Sequence, residues 1–259
     1  MVSSPAAPLL SVVTICYNDS AHLERTLLSV KSQKETFPHI QYIVVDGAST
    51  DDTPRLLEQY ASTIDLVISE PDKGIYDAMN KGLKKATGDY VCFLNSGDVF
   101  HSEMLLRELF EELEKKYPSS SLSEKPGVLY GQTHLVDEEG RFVAVRKPEA
   151  PQELSYRSFL RGMCVCHQSF YARRDLTEPY DSETYRLSGD FDWCLGILHK
   201  SKDNWYSGMV LTDYLNEGLT TRNRIPSLKE RLHIMIDRYG LVPALLAHLY
   251  FLLRLPFKN

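Results

Sequence analysis

The sequence predicts an α/β fold in which an open, mostly parallel sheet carries helices on both faces and a helical tail closes the chain. Three observations lead there. The runs Ser11–Ile15, Tyr42–Val45 and Tyr90–Leu94 are short, rich in β-branched and aromatic residues and bounded by turn residues, so they read as buried strands. The stretches between them have helical spacing, giving the strand–helix alternation of a parallel sheet. Acidic or amide residues follow the apolar runs, namely Asn18, Asp46, Asp72, Asn95 and Asp98. In an open parallel sheet such residues gather along the carboxyl edge, where ligands bind.

Taken in order, the first strand leads into a helix whose Leu23, Leu27 and Val30 recur on one face. Ser49 and Asp52 resemble a capping pair for a second helix, with Pro54 suited to its first turn. Leu66–Ser69 is a short third strand. A helix through Ile75, Met79, Leu83 and Ala86 follows, closed by Gly88-Asp89. After Tyr90–Leu94 comes a helix from about His101 to Lys116. The Ser/Pro-rich stretch Tyr117–Pro126 punctuates the chain. Beyond it, Val128–Val136 and Arg141–Val145 flank Asp137-Glu-Glu-Gly140 as a hairpin. Met163–Ala172 reads as a strand, Phe191–His199 as a helix and Asn204–Leu211 as a last strand, so the second half extends the same sheet. The expected organisation is one domain over 1–225, with halves 9–116 and 127–225, and a tail over 226–259.

Composition narrows the function. A chain of 259 residues can bury a large core, and 43% hydrophobic with 25% charged residues suits a soluble globular protein. A net charge of −6 argues against a nucleic-acid partner, which needs a basic face. The five cysteines are odd in number and sit mostly in predicted elements, which points to reduced thiols in a cytoplasmic compartment. Cys164-Val-Cys166 lacks zinc-site spacing, and no basic segment followed by an apolar core opens the chain. The stretch Leu241–Phe257 is apolar but shorter than the roughly 20 residues of a spanning helix. With Lys229, Arg231, His233 and Arg238 upstream, it fits a helix lying on an anionic leaflet, or one packed on the domain. A cleft edged with carboxylates and little basic charge suits a phosphate ligand only if a divalent metal accompanies it.

Four segments in order, Ser11-Val-Val-Thr-Ile-Cys-Tyr-Asn18, Ile43-Val-Val-Asp-Gly-Ala-Ser-Thr-Asp51, Ser69-Glu-Pro-Asp-Lys-Gly-Ile-Tyr-Asp-Ala-Met-Asn-Lys-Gly82 and Phe93-Leu-Asn-Ser-Gly-Asp98, resemble family 2 glycosyltransferases. The third looks most like the subgroup that builds bacterial O-antigen and other surface polysaccharides. The resemblance implies the GT-A fold, with its Rossmann-like sheet, and a nucleotide-sugar donor with a slight preference for uracil. It further implies Mn²⁺ or Mg²⁺, and inverting transfer to a glycan or polyprenyl-linked acceptor. The expected location is the cytoplasm, with peripheral contact at the inner face of the membrane through the tail.

Residue by residue, the resemblance gives Asp98 the metal and Asn95 the donor, in a motif where Asn95 and Gly97 replace two of the family's aspartates. Tyr17 and Asp46 match positions framing the base, although Gly47 stands where relatives often carry a second Asp. Asp72 could contact the base, Lys73 could face the diphosphate, and Asn80 matches a position near the donor. Asp190, in Ser188-Gly-Asp-Phe-Asp-Trp193, matches the general base at a helix start, with Gly189 in place of Glu and Asp192 as the fallback. His167 and Gln168 match a pair that positions the acceptor or a loop. Arg222, in the segment after Gly218, offers a planar fork for phosphate. Plainer roles fit too: Asp46-Gly47 is also a turn, Asp98 and Asp190 are good helix caps, and Lys73 suits a solvated surface. A catalytically silent nucleotide-sugar-binding protein fits the thinned motifs. A nucleotidyltransferase fits poorly, because Cys16-Tyr-Asn-Asp19 lacks a Gly-rich basic loop.

Overall fold

β-branched side chains pack well on a pleated, two-sided surface, and the apolar runs of the first hundred residues form four parallel strands. In the computed structural model, which describes residues 8–119, 121–216 and 224–254, these are β1 (Leu10–Cys16), β2 (Ile40–Asp46), β3 (Leu66–Ser69) and β4 (Tyr90–Phe93). They lie in the order β3-β2-β1-β4. Cys16 pairs with Asp46 and Asp46 with Ser69, so the strand ends are level and the loops after them share one edge.

The strands bury both faces. Val13, Ile43, Val45 and Phe93 face one core, where α3 (Ile75–Leu83) and α5 (Gly189–Lys200) pack. Val12, Tyr42, Val44 and Cys92 face the other, under α1 (Ser20–Thr36), α2 (Thr53–Gln59) and α4 (Leu105–Lys116). Leu23, Leu27 and Val30 point into that second core, as their spacing predicts.

Past β4 the sheet continues with mixed pairing. The added strands are β5 (Val99–Phe100), β6 (Val128–Val136), β7 (Phe142–Val145), β8 (Phe170–Arg173) and β9 (Asn204–Leu215). β8 lies antiparallel to both β4 and β6, β9 parallel to β6, and β5 antiparallel to β9, while β7 forms the hairpin with β6. The parallel, Rossmann-like arrangement therefore belongs to the first four strands, and the second half extends one common sheet.

Several boundaries differ from the sequence reading because side chains found other partners. Ser49 does not cap α2, since its hydroxyl accepts the Asn18 N–H at 2.8 Å. α4 starts at Leu105, because Val99–Phe100 pairs with β9. Residues 163–169 form a loop ending in a 3₁₀ turn, His167–Ser169, where the Ser169 and Thr133 hydroxyls meet at 2.7 Å. All five cysteines are buried and unpaired.

The tail forms two helices, α6 (Arg224–Tyr239) and α7 (Leu241–Arg254), joined at Gly240, whose φ of +86° suits glycine. Pro243 lies in the first turn of α7, where a missing N–H costs nothing. One face of the tail packs on the domain and another is left exposed. Ile234, Met235 and Ala244 enter the core, while Leu241, Val242, Leu245, Leu246 and Leu249 form an exposed stripe. Among the described residues no helix is long and apolar enough to cross a membrane.

Candidate active site

Level strand ends bring the loops after β1, β3 and β4 to one edge, and the start of α5 comes in beside them. Together they line a cleft of about 1010 Å³ that includes Tyr17, Asp72, Asn95, Asp98, His167, Gln168 and Asp190. Asp98 and Asp190, 92 positions apart in the chain, thus share one hollow.

Asp98 sits in a tight turn past β4. Its own N–H bonds the Asn95 carbonyl, and Thr26 on α1 bonds both the Asp98 carbonyl and the Gly97 N–H. Gly97 has φ +92°, and a Cβ there would meet Leu215 at 2.7 Å, so this turn has no room for a side chain. The Asp98 carboxylate is 3% exposed and accepts the Leu215 N–H and the Gln168 amide, each at 3.0 Å. Burial pushes its pKa up to about 7, against the lowering effect of those two donors. Beside it, Asn95 Oδ1 and the Ser96 hydroxyl are buried without a partner. One carboxylate and two unsatisfied hard oxygens fit a divalent cation that takes its remaining ligands from substrate phosphates.

Asp190 occupies the first turn of α5, and the segment leading into that helix is held by other residues. Glu230 on α6 accepts the N–H groups of Arg186, Leu187 and Ser188, and the Ser188 hydroxyl meets that of Ser227. The half-buried Asp190 carboxylate is left facing the cleft, where it accepts the Tyr76 hydroxyl at 3.2 Å. Tyr76 is itself buried and stacks on Tyr180 at 5.5 Å. His167 bonds the Tyr180 hydroxyl at 2.8 Å and stacks on Phe93, and burial lowers its pKa to about 4, which keeps it neutral. Gln168 positions Asp98.

Other predicted residues lie elsewhere. Asp46 is buried and does not line the cleft, and its oxygens accept the Ser49 N–H and the Ser69 hydroxyl, as a turn role requires. Asn80 pairs bidentately with the backbone of Tyr180, at 2.9 and 2.7 Å, so it pins a loop, and it does not line the cleft. Asp192 is held by the guanidinium of Arg238 at 2.7 and 2.9 Å and does not line the cleft. Lys73 is exposed off the cleft, although its carbonyl accepts Arg186. Arg222 lies outside the described residues.

The cleft also holds residues the sequence reading missed. Tyr76 lies within the family-like segment Ser69–Gly82, but nothing local signals that it reaches Asp190. Arg231, read as surface charge, lines the cleft, with its guanidinium 5.8 Å from the Phe191 ring and its Nε buried without a partner. Arg186 lines the cleft too.

A family model described as glycosyl transferase family 2 matches residues 11–178. The chain belongs to this family. It is 36% identical over 193 residues to an uncharacterized glycosyltransferase, MT1564, of Mycobacterium tuberculosis, covering 74% of this chain and 66%, just under two thirds, of that protein. It is 27% identical over 254 residues to WfgD of Escherichia coli, a UDP-Glc:α-D-GlcNAc-diphosphoundecaprenol β-1,3-glucosyltransferase, covering 95% of this chain and 91% of WfgD. Among solved structures, Staphylococcus aureus TarS 1–349 in complex with UDP-GlcNAc matches with a TM-score of 0.70 at 19% identity, over 93% of this chain and 73% of that one. That likeness bears on the fold, which is GT-A as expected.

Two departures from the family 2 pattern have a geometric reason. A Cβ on Gly47 would lie 2.5 Å from the Asp72 carboxylate, so Asp72 occupies the space of the absent second Asp. A Cβ on Gly189 would lie 2.9 Å from the Tyr76 ring, so Tyr76 fills the place of the absent Glu. At each position a neighbouring side chain already occupies the space.

Proposed function

We propose that this protein is an inverting, metal-dependent glycosyltransferase of surface polysaccharide biosynthesis. It would move a sugar from a nucleotide diphosphate to a hydroxyl of a lipid-linked or growing glycan. The observation carrying this reading is that Asp98 and Asp190, from opposite halves of the chain, line one cleft. Asp190 takes the proton of the acceptor hydroxyl as that oxygen attacks the anomeric carbon, on the face opposite the departing diphosphate. Tyr76 orients the receiving carboxylate through its hydrogen bond.

Donor binding is assigned to the other wall. Tyr17, 64% exposed, offers its ring for stacking on the base, and Asp72 accepts hydrogen bonds from base or ribose. Arg231 and Arg186 supply planar donors to phosphate oxygens. Asp98, with Asn95 beside it, would hold Mn²⁺ or Mg²⁺. The ion supplies neutralisation of the leaving diphosphate. A UDP-sugar is the favoured donor, in keeping with the WfgD name and the TarS complex. The exposed stripe of α7 supports peripheral contact with the cytoplasmic face of the membrane, where a polyprenyl-linked acceptor would lie.

Thermal-shift titration with UDP-, GDP- and dTDP-sugars plus Mn²⁺ tests the reading. UDP-sugars are expected to give the largest rise in melting temperature. A protein that none of them shifts would contradict it.

A further inference from the structure

Outside the cleft, three side chains with metal-ligating atoms meet on neighbouring strands. Asp213 on β9 pairs in register with His134 on β6 and, on its other side, with Val99 on β5. His101 follows β5 and is held by its backbone N–H to the Leu211 carbonyl. The sheet therefore brings all three to one place. His101 Nδ1 lies 2.8 Å from Asp213 Oδ1, and His134 Nδ1 lies 3.9 Å from that oxygen. One ligand atom from each residue falls within 4.8 Å of the others. The His134 ring is braced on two sides, by His101 at 4.9 Å and by Phe142 of β7 at 4.7 Å. None of the three residues lines the cleft.

We propose that His101, His134 and Asp213 form a second metal site, separate from Asp98 and selective for a late first-row divalent ion, Zn²⁺ above all. The donor types decide the selectivity. Two imidazoles and a carboxylate are a borderline set that suits Zn²⁺, whereas the oxygen donors of Asp98, Asn95 and Ser96 suit Mg²⁺ or Mn²⁺. Ligand atoms around a tetrahedral zinc with bonds of about 2.0–2.1 Å stand roughly 3.3 Å apart. Reaching that spacing requires these donor atoms, now within 4.8 Å of one another, to converge. Three protein ligands leave the fourth position to water.

The placement gives such an ion a task. Asp213 lies two residues before Leu215, whose N–H holds the Asp98 carboxylate, and His101 lies three residues after Asp98. An ion joining β5, β6 and β9 here would clamp the two strand ends that frame Asp98, acting as a structural tie without touching substrate.

The test uses the full chain, stripped of metal and titrated with Zn²⁺ while its melting temperature is followed, alongside Co²⁺ titration read by visible absorption. At a hundredfold excess over Kd, Zn²⁺ is expected to raise the melting temperature by roughly 5–10 °C. Co²⁺ is expected to give the intense bands of a tetrahedral complex. Asp98→Asn should keep both signals, while His134→Ala and the milder His101→Gln should each lose most of them. Absence of both signals in the wild-type chain would overturn the proposal, and so would their full retention in His101→Gln. Because His101 is a partly exposed residue past a strand end, that variant is expected to fold even if His134→Ala does not.

Discussion

Asp98 and Asp190, both in the cleft, sit in opposite surroundings. Asp98 is sealed in a turn past a parallel strand, with both oxygens engaged by the Leu215 N–H and the Gln168 amide and its pKa pushed up to about 7 by burial. Asp190 stands half-buried at the start of a helix whose lead-in segment is held by Glu230, with the Tyr76 hydroxyl on one oxygen. In the proposed mechanism, identical chemical groups would thereby do different work. The first is costly to ionise until a cation arrives. The second is open to an incoming hydroxyl and held in orientation by a neutral donor. The comparison also separates the regions that supply them: a compact parallel half that carries Asp98, and a mixed half whose long-range packing places Asp190, the proposed base.

The largest effect should come from removing the base. Asp190→Asn is expected to lower kcat by about 10²–10⁴-fold while leaving the carboxyl-edge loops intact. Transfer of radiolabelled sugar measures it, and turnover within a factor of a few of wild type would remove Asp190 from that role.

Next comes the linkage at Asp98. Its folded pKa of about 7 lies above the ordinary 3.8, so the folded protein holds this proton more tightly than the unfolded chain does. The stabilisation is complete below about pH 4 and fades as the pH rises through 7, by an amount on the order of 4 kcal/mol. Metal-free protein should therefore lose melting temperature between pH 5 and pH 8, and Asp98→Asn should flatten that slope. A slope unchanged in the variant would place its origin elsewhere.

The smallest effect concerns orientation. Tyr76→Phe keeps the ring that stacks on Tyr180 but deletes the hydroxyl on Asp190. A fall in kcat of roughly 3–10-fold is expected, with donor KM unchanged. Steady-state kinetics that show KM rising together with kcat loss would make Tyr76 a packing residue.

How much of this was legible in the sequence followed the range of the interactions involved. β3 and β6 have the predicted bounds, and the α1 face is as predicted, because local periodicity reports burial directly. The Asn95–Asp98 turn and the start of α5 were visible as motifs, and they do reach one cleft. Asp46, Asn80 and Asp192 carry the same letters as ligand-binding residues but are consumed by internal partners 23, 100 and 46 positions away. The Tyr76–Asp190 bond spans 114 positions, and Arg231 became a cleft residue only through the packing of α6 on α5. No window of sequence contains such pairs. Gly47 and Gly189 looked like losses from a family pattern. In space they are vacancies already filled, by Asp72 and by Tyr76.

The most direct test is calorimetric titration of UDP with Mn²⁺ into wild type, Asp98→Asn and Asp190→Asn. A donor wall and a separate base predict that affinity collapses in Asp98→Asn and stays near wild type in Asp190→Asn. Equal losses in the two variants, or full affinity in Asp98→Asn, would contradict the division of labour between these carboxylates.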